Sequence, residues 1–140
     1  MAGYSGTPLV KKLGVKENSR IAFVNAPVGY EKLLGLLSSV TVSSRSKKPL
    51  DFIQLFVKTR RELEQKFPLY SASLNPSAMF WISWPKKSSG VATDLTEDVV
   101  RAIGLANRMV DVKVCAVDEV WSGLKFVFRL KDRPKARVRS

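Results

Sequence analysis

The sequence contains no histidine and only one cysteine, and these shortages exclude several kinds of functional site. Nucleophilic catalysis by a Cys–His or Ser–His pair requires a histidine. A structural zinc site requires several ligands drawn mainly from cysteine and histidine. The single cysteine, Cys115, cannot form an internal disulfide, which favours a reducing compartment. We therefore expect no metal site, and a structural role for Cys115 inside a strand.

Long apolar runs are also missing. No run approaches the ~18 residues that a membrane span requires, and the first residues, MAGYSGTPLVKKLG, lack the apolar core of a signal peptide. The chain has 140 residues, of which 45% are hydrophobic, and this suits one domain with a sizeable core. We expect a cytoplasmic protein that makes no membrane contact.

Acidic residues are scarce. The chain has 12 Asp and Glu but 24 Lys and Arg, which gives a formal net charge of +12. Such an excess favours a polyanionic partner such as nucleic acid. The alternative is a solvated basic surface, because the basic residues are not interleaved with aromatics as in a base-stacking platform. The candidate contacts with nucleic acid are Lys47, Lys48, Arg133, Lys135, Arg137 and Arg139.

Apolar runs alternate with segments of helical periodicity from residue 20 onward. The predicted strands span residues 20–25, 40–42, 50–57 and 79–84. The predicted helices span residues 30–37, 58–74 and 94–107. Pro68 interrupts the second helix, and Asn75-Pro76-Ser77 is typical of a turn.

Beyond residue 110 apolar and polar residues alternate strictly, as in strands with one exposed face. The connection over residues 118–123 is too short for a parallel crossover, so residues 110–117 and 124–130 are predicted to form an antiparallel hairpin. The fold class is therefore α/β: a single domain with a mostly parallel twisted sheet, flanking helices and a C-terminal antiparallel hairpin. The predicted domain covers residues 20–130, between an N-terminal arm at 1–19 and a basic tail at 131–140.

Three stretches resemble the class I methyltransferase fold in a trimmed form, over roughly residues 20 to 130. LDFIQLF is similar to the fourth strand of that family, LNPSAMFWISWP to the segment entering its fifth strand, and VDVKVCAVDEVWSGLKFVFRL to its closing hairpin. The resemblance implies a site for S-adenosylmethionine. However, VNAPVGY holds one glycine where the family has a glycine-rich loop, and Ser43-Ser44-Arg45 stands where an acidic residue binds the ribose. We therefore expect no cofactor.

A second resemblance runs nearly from end to end. The stretches GYSGTPLVKKLG, NAP-x-GY, SWPKKSSGVATDLTEDVVR and VDVKVCAVDEVWSGLKFVFR resemble those of domain-of-unknown-function family 3052, a family of small bacterial proteins. The chain is identified as a member on these stretches. The family implies no catalytic residues.

Candidate ligand residues follow the predicted strands, since ligands of open α/β sheets bind at the carboxyl ends of the strands. Lys86-Lys87-Ser88-Ser89-Gly90 offers charge and donors to a phosphate, but Asp94 and Glu97 form a capping-box pattern that supplies negative charge behind it. The loop is therefore expected mainly to turn the chain. The rim candidates are Asn25, Pro27, Gly29, Trp84, Lys86 and Lys87, with Asp118 and Trp121 in the hairpin connection.

These observations favour a non-catalytic α/β module that binds a partner or small ligand at the carboxyl edge of its sheet. Two alternatives stay open. One is a basic protein associated with nucleic acid, and the other is a divergent methyltransferase that uses S-adenosylmethionine.

Overall fold

A computed structural model describes residues 8–35, 41–42 and 49–130. Lys47, Lys48, the segment 43–45 and the basic tail at 131–140 lie outside the described residues. The helices are α1 (Leu9–Leu13), α2 (Tyr30–Leu34), α3 (Arg60–Ser71) and α4 (Glu97–Ala106). The strands are β1 (Arg20–Val24), β2 (Thr41–Val42), β3 (Leu50–Phe56), β4 (Leu74–Pro85), β5 (Met109–Ala116) and β6 (Trp121–Phe128).

The described strands form one six-stranded sheet in the order β2-β1-β3-β4-β6-β5. β1 pairs in parallel with β2 and β3, and β3 pairs in parallel with β4. β6 runs antiparallel to both β4 and β5. The prediction of a mostly parallel sheet closed by an antiparallel hairpin is therefore confirmed. Across the described residues, no helix is both long and apolar enough to cross a membrane.

One face of the sheet is covered by α3 and α4. Leu63 and Phe67 of α3 are fully buried, and the Phe67 ring packs against those of Phe80 and Phe126 with centroids 4.8 and 5.4 Å apart. α4 approaches β6 so closely at Gly104 that an added Cβ would overlap the Phe126 ring. This glycine is required by the close approach of helix and strand.

The opposite face is covered by α1 and α2. Leu13 at the end of α1 is fully buried, and its carbonyl oxygen accepts a hydrogen bond from the buried Trp81 indole nitrogen at 2.8 Å. α1, which belongs to the predicted N-terminal arm, therefore packs against the sheet. Gly14 ends α1 with a φ of 82°, a conformation that glycine adopts without strain.

The turn predicted at Asn75-Pro76-Ser77 is wrong, because these residues lie inside β4. The β3–β4 pairing shifts register between Leu50 and Phe52, so the chain around Pro76 bulges out of the regular ladder. Proline, which has no N–H to donate, is tolerated where the ladder is interrupted. The Asn75 side-chain amide donates to Asp51 Oδ1 at 2.6 Å and holds this irregular segment onto β3. Strand pairing has overridden the local preference for a turn.

The capping box predicted at Asp94 and Glu97 is also wrong. α4 begins at Glu97, and its cap is Thr96, whose hydroxyl accepts a hydrogen bond from the Val99 N–H at 3.2 Å. Asp94 instead accepts from the Arg60 N–H at 2.7 Å and satisfies a free donor in the first turn of α3. The carboxylate of Asp94 therefore joins the starts of two helices.

The second predicted helix and the hairpin connection differ in their bounds. α3 continues through Pro68 to Ser71, so the proline does not end it. β6 begins at Trp121, which shortens the connection predicted at 118–123. Asp118 closes this tighter connection, because its Oδ1 accepts hydrogen bonds from the N–H groups of Val120 and Trp121, both at 2.8 Å.

β5 forms one edge of the sheet. Its pairing with β6 shifts register between Asp111 and Lys113, so Val112 is an extra residue in a bulge. Val112 and Val114 are more than half exposed. On the side of α4, Asp111 accepts a hydrogen bond from Arg101 Nε at 3.0 Å, which ties the edge strand to the helix.

Candidate functional site

The carboxyl ends of β1 and β3 lie side by side at the point where the strand order reverses. An open cleft of about 480 Å³ occupies this position. We call it the carboxyl-edge cleft. Its lining residues are Asn25, Pro27, Phe56, Lys58, Glu62, Lys66 and Trp121. In open α/β sheets the crevice at such a switch point is the usual ligand site.

The start of α3 fixes the charged side of this cleft. Thr59 caps the helix by accepting from the Glu62 N–H at 3.1 Å, and Glu62 Oε1 accepts in return from the Lys58 N–H at 3.2 Å. The other carboxylate oxygen of Glu62 pairs with Lys66 Nζ at 3.0 Å. Both carboxylate oxygens of Glu62 are thus already used, one by the backbone at the start of α3 and the other by Lys66. Lys58 forms no ion pair within the described residues, so its ammonium group is available to a ligand.

The apolar wall of the cleft consists of aromatic rings. Phe56 contacts Trp121 edge to face with centroids 5.0 Å apart, and contacts Tyr30 on its other side at the same distance. Trp121 lies on β6, two strands away from Phe56, and remains partly exposed. An indole held in this way offers a rigid, partly exposed face for a flat ligand.

The loop between β1 and α2 forms the remaining side. Asn25 directly follows β1 with a φ of 59°, and its side-chain amide lies 3.5 Å from Glu62 Oε2. The Tyr30 N–H donates to the Pro27 carbonyl oxygen at 3.1 Å. That donor at the start of the five-residue α2 is therefore used by the loop itself. The polar side chain that lines the cleft on this side is that of Asn25.

A buried chain of hydrogen bonds supports the cleft. The Tyr30 hydroxyl donates to Gln54 Oε1 at 2.7 Å, and Gln54 Nε2 donates to Ser83 Oγ at 3.0 Å. Gln54 and Ser83 are fully buried, and Tyr30 nearly so. Burial raises the pKa of the Tyr30 phenol well above its ordinary value. The network links the start of α2 to β3 and β4.

The raised pKa of Tyr30 predicts a loss of stability in alkali. Below the ordinary tyrosine pKa of about 10 the phenol is protonated in both states and adds no pH dependence. Above it the unfolded chain releases the proton while the folded chain retains it, so unfolding becomes easier by up to ~1.4 kcal/mol per pH unit. Chemical denaturation of wild type and Tyr30→Phe between pH 8 and pH 11 checks this. We expect a shallower alkaline decline in the variant, and equal slopes would contradict the assignment.

A second cleft, of about 570 Å³, lies between the end of β4 and the start of α4. We call it the hairpin cleft. Its lining includes Trp84, Lys86, Lys87 and Ser122, together with Glu97 and Asp98. The carboxylates of Glu97 and Asp98 both form salt bridges with Arg101, and the distance for Asp98 is 2.9 Å. In the loop beside it, the Ser89 hydroxyl donates to the Lys86 carbonyl oxygen at 2.6 Å and accepts from the Val91 N–H, so that hydroxyl closes the turn.

The structure divides the predicted rim between these two clefts. Asn25, Pro27 and Trp121 line the carboxyl-edge cleft. The other cleft takes Trp84, Lys86 and Lys87. Gly29 lines neither cleft. It is the residue directly before α2 and has a φ of 80°.

Sequence reasoning missed four residues of the carboxyl-edge cleft. They are Phe56, Lys58, Glu62 and Lys66. A usable signal was present, because Thr59-x-x-Glu62 is a capping box directly after an apolar strand. This capping box predicts that α3 begins just after β3. The charged residues Glu62 and Lys66, four positions apart on α3, would then lie near the carboxyl end of β3. The described residues contain no group of three or more acidic or cysteine side chains able to hold a metal ion.

No protein-family model matches the chain, and no curated protein is similar to it in sequence. Solved structures are similar in fold. A SAM-dependent methyltransferase from Aquifex aeolicus is 17% identical with a TM-score of 0.60, over 84% of this chain and 86% of that chain. A ribosomal protein L11 methylase from Lactobacillus delbrueckii subsp. bulgaricus is 13% identical with a TM-score of 0.57, over 86% and 75%.

A third similar structure is magnesium protoporphyrin IX methyltransferase from Synechocystis PCC 6803 with bound SAM. It is 10% identical with a TM-score of 0.55, over 86% of this chain and 74% of that chain. At such identities the likeness defines the fold alone. The chain therefore has a methyltransferase-like Rossmann fold, and the predicted fold resemblance is confirmed. Membership of family 3052 stays a prediction.

Proposed function

We propose that this chain is a non-catalytic module that binds a small ligand in the carboxyl-edge cleft. The observation that carries the proposal is the position of the cleft at the strand-order reversal. The partly exposed indole of Trp121 lines it together with Lys58, which forms no ion pair within the described residues. Trp121 and Phe56 suit a flat ring, and Lys58 suits an anionic group. The ligand class is therefore a ring compound that carries a phosphate or carboxylate.

The side chains of the cleft do not favour a reaction. Among the described residues that line it, the one carboxylate is that of Glu62, which accepts from the Lys58 N–H and pairs with Lys66, so it is held in place by the start of α3. Asn25 and Lys58 can orient a ligand by hydrogen bonding and charge. In this proposal Asn25 and Lys58 bind the ligand, and the Glu62–Lys66 ion pair has a structural role at the wall of the cleft.

The second candidate is a divergent SAM-dependent methyltransferase. The fold of the solved methyltransferases favours it. Pro27 and the absence of a second glycine near the end of β1 argue against it, because a glycine-rich loop lets the backbone approach a cofactor closely. We further infer membership of the bacterial family 3052 from the stretches that resemble it. A cytoplasmic location is proposed because the single cysteine suits a reducing compartment.

Isothermal calorimetry with adenosine monophosphate, adenosine and S-adenosylmethionine tests the proposal. We expect the monophosphate to bind most tightly, since it combines a ring with an anion. Lys58→Ala should weaken that binding roughly tenfold, equivalent to about 1.4 kcal/mol for a charge-assisted contact. Binding of adenosine should change little, because it lacks the anion.

Lys87→Ala is the matched control, because it removes an exposed lysine from the hairpin cleft instead. It should leave all three affinities unchanged. Equal losses in the two variants would contradict a site at the carboxyl edge. Tighter binding of S-adenosylmethionine than of the monophosphate would favour the methyltransferase. Failure of all three compounds to bind at millimolar concentration would exclude this ligand class.

A further inference from the structure

Four lysines gather on the side of the sheet that α1 covers. Lys113 and Lys125 are direct partners across the β5–β6 pair. The Lys113 ammonium donates to the Lys12 carbonyl oxygen at 3.0 Å, which brings β5 against the end of α1. Lys16 follows α1 and acts electrostatically on Lys125. We call Lys12, Lys16, Lys113 and Lys125 the lysine patch, and none of the four lines either cleft.

The lysine patch brings like charges together. Directly opposed like charges destabilise a strand pair. Partial burial lowers the pKa of Lys125, and the positive charges of Lys113 and Lys16 lower it further. None of the four lysines forms a salt bridge within the described residues, whereas Arg60, Lys66 and Arg101 all do. The arrangement therefore costs stability in the free protein, and an anion placed over it would relieve that cost.

The chemistry of the patch favours phosphates over bases. Lysine ammonium groups act as point charges toward phosphate oxygens. The lysine patch itself contains no aromatic side chain, so it offers no stacking platform for unpaired bases. We propose that the lysine patch binds the phosphate backbone of double-stranded nucleic acid without reading its sequence.

Fluorescence anisotropy with labelled 20-base-pair DNA and RNA duplexes of two unrelated sequences tests this proposal. The variant Lys113→Gln/Lys125→Gln removes the opposed pair of charges. Because each phosphate contact contributes about 0.9 to the slope of log affinity against log salt, we expect that slope to fall by nearly two and the affinity at low salt to fall at least tenfold.

The matched control is Lys32→Gln/Lys87→Gln, which makes the same change in net charge at two exposed lysines outside the patch. It should retain most of the affinity, and an equal loss would mean that net charge alone is responsible. Thermal melting provides a check on folding, since Lys113→Gln/Lys125→Gln relieves repulsion and should melt no lower than wild type.

Three further outcomes would overturn the proposal. The first is no anisotropy change with any duplex at low salt. The second is an affinity that differs strongly between the two sequences, because phosphate contacts carry no sequence information. The third is preferential binding to phosphatidylglycerol vesicles over duplexes, which would assign the patch to an anionic membrane surface. Binding at equal strength to both sequences, lost in the patch variant only, supports the proposal.

Discussion

Replacing Gly104 with alanine is expected to lower the melting temperature by roughly 10 °C, which corresponds to about 3 kcal/mol for a domain of this size. An added Cβ would lie 2.6 Å from Phe126 Cδ1 and closer still to Cε1. Phe126 is fully buried on β6 and packs against Phe67, so its ring cannot move aside without disturbing the core. The higher helix propensity of alanine offsets only about 1 kcal/mol of this overpacking.

A double-mutant cycle isolates the cause. In a Phe126→Leu background the ring is gone, and the alanine should cost less than about 1 kcal/mol. Chemical denaturation of the wild type, both single variants and the double variant measures the coupling. If the costs of the two substitutions simply add, Gly104 does not mark a close approach between α4 and β6.

Trp81→Phe is expected to destabilise the protein by about 2 kcal/mol and to loosen α1. The substitution removes the indole donor from the Leu13 carbonyl oxygen, leaving a buried acceptor without its partner. It also leaves a void beside a fully buried strand position. A helix of five residues is not stable by itself, so α1 depends on this attachment. Amide hydrogen exchange should therefore accelerate at Gly14 and Val15, whose N–H groups close the end of α1.

Trp121→Phe provides the matched control. Trp121 is partly exposed, and its indole nitrogen makes no hydrogen bond within the described residues. The same change of side chain there should cost less stability and leave exchange in α1 unaltered. Equal exchange rates in Trp81→Phe and wild type would show that the Leu13 contact does not hold the helix.

The strands were predictable because the burial of a strand determines the pattern of apolar residues along its own sequence. β3 is buried along almost its whole length and appears as a continuous apolar run. In β6 the buried Leu124 and Phe126 alternate with the less buried Lys125 and Val127, and the sequence shows the same alternation. The segment around Pro76 was not predictable in this way. Its turn-forming residues compete with pairing to β3, and pairing between distant strands is not visible in a local pattern.

The candidate site was only partly predictable for a related reason. Sequence identifies which residues follow the strands, but strand order decides which of those residues meet. Trp121 reaches Phe56 because β6 inserts next to β4, although β5 precedes β6 in the chain. The same order carries Lys86 and Lys87 into a different cleft from Asn25.

The bulge at Val112 has a consequence for the protein at high concentration. An edge strand with exposed valines is a ready template for strand addition by another chain, the first step toward fibrils. The extra residue breaks the regular spacing of N–H and C=O groups along β5, and Lys113 adds a charge that a stacked copy would have to bury. An incoming strand would therefore find no flat ladder to extend. The bulge in β5 therefore disfavours aggregation through this edge of the sheet.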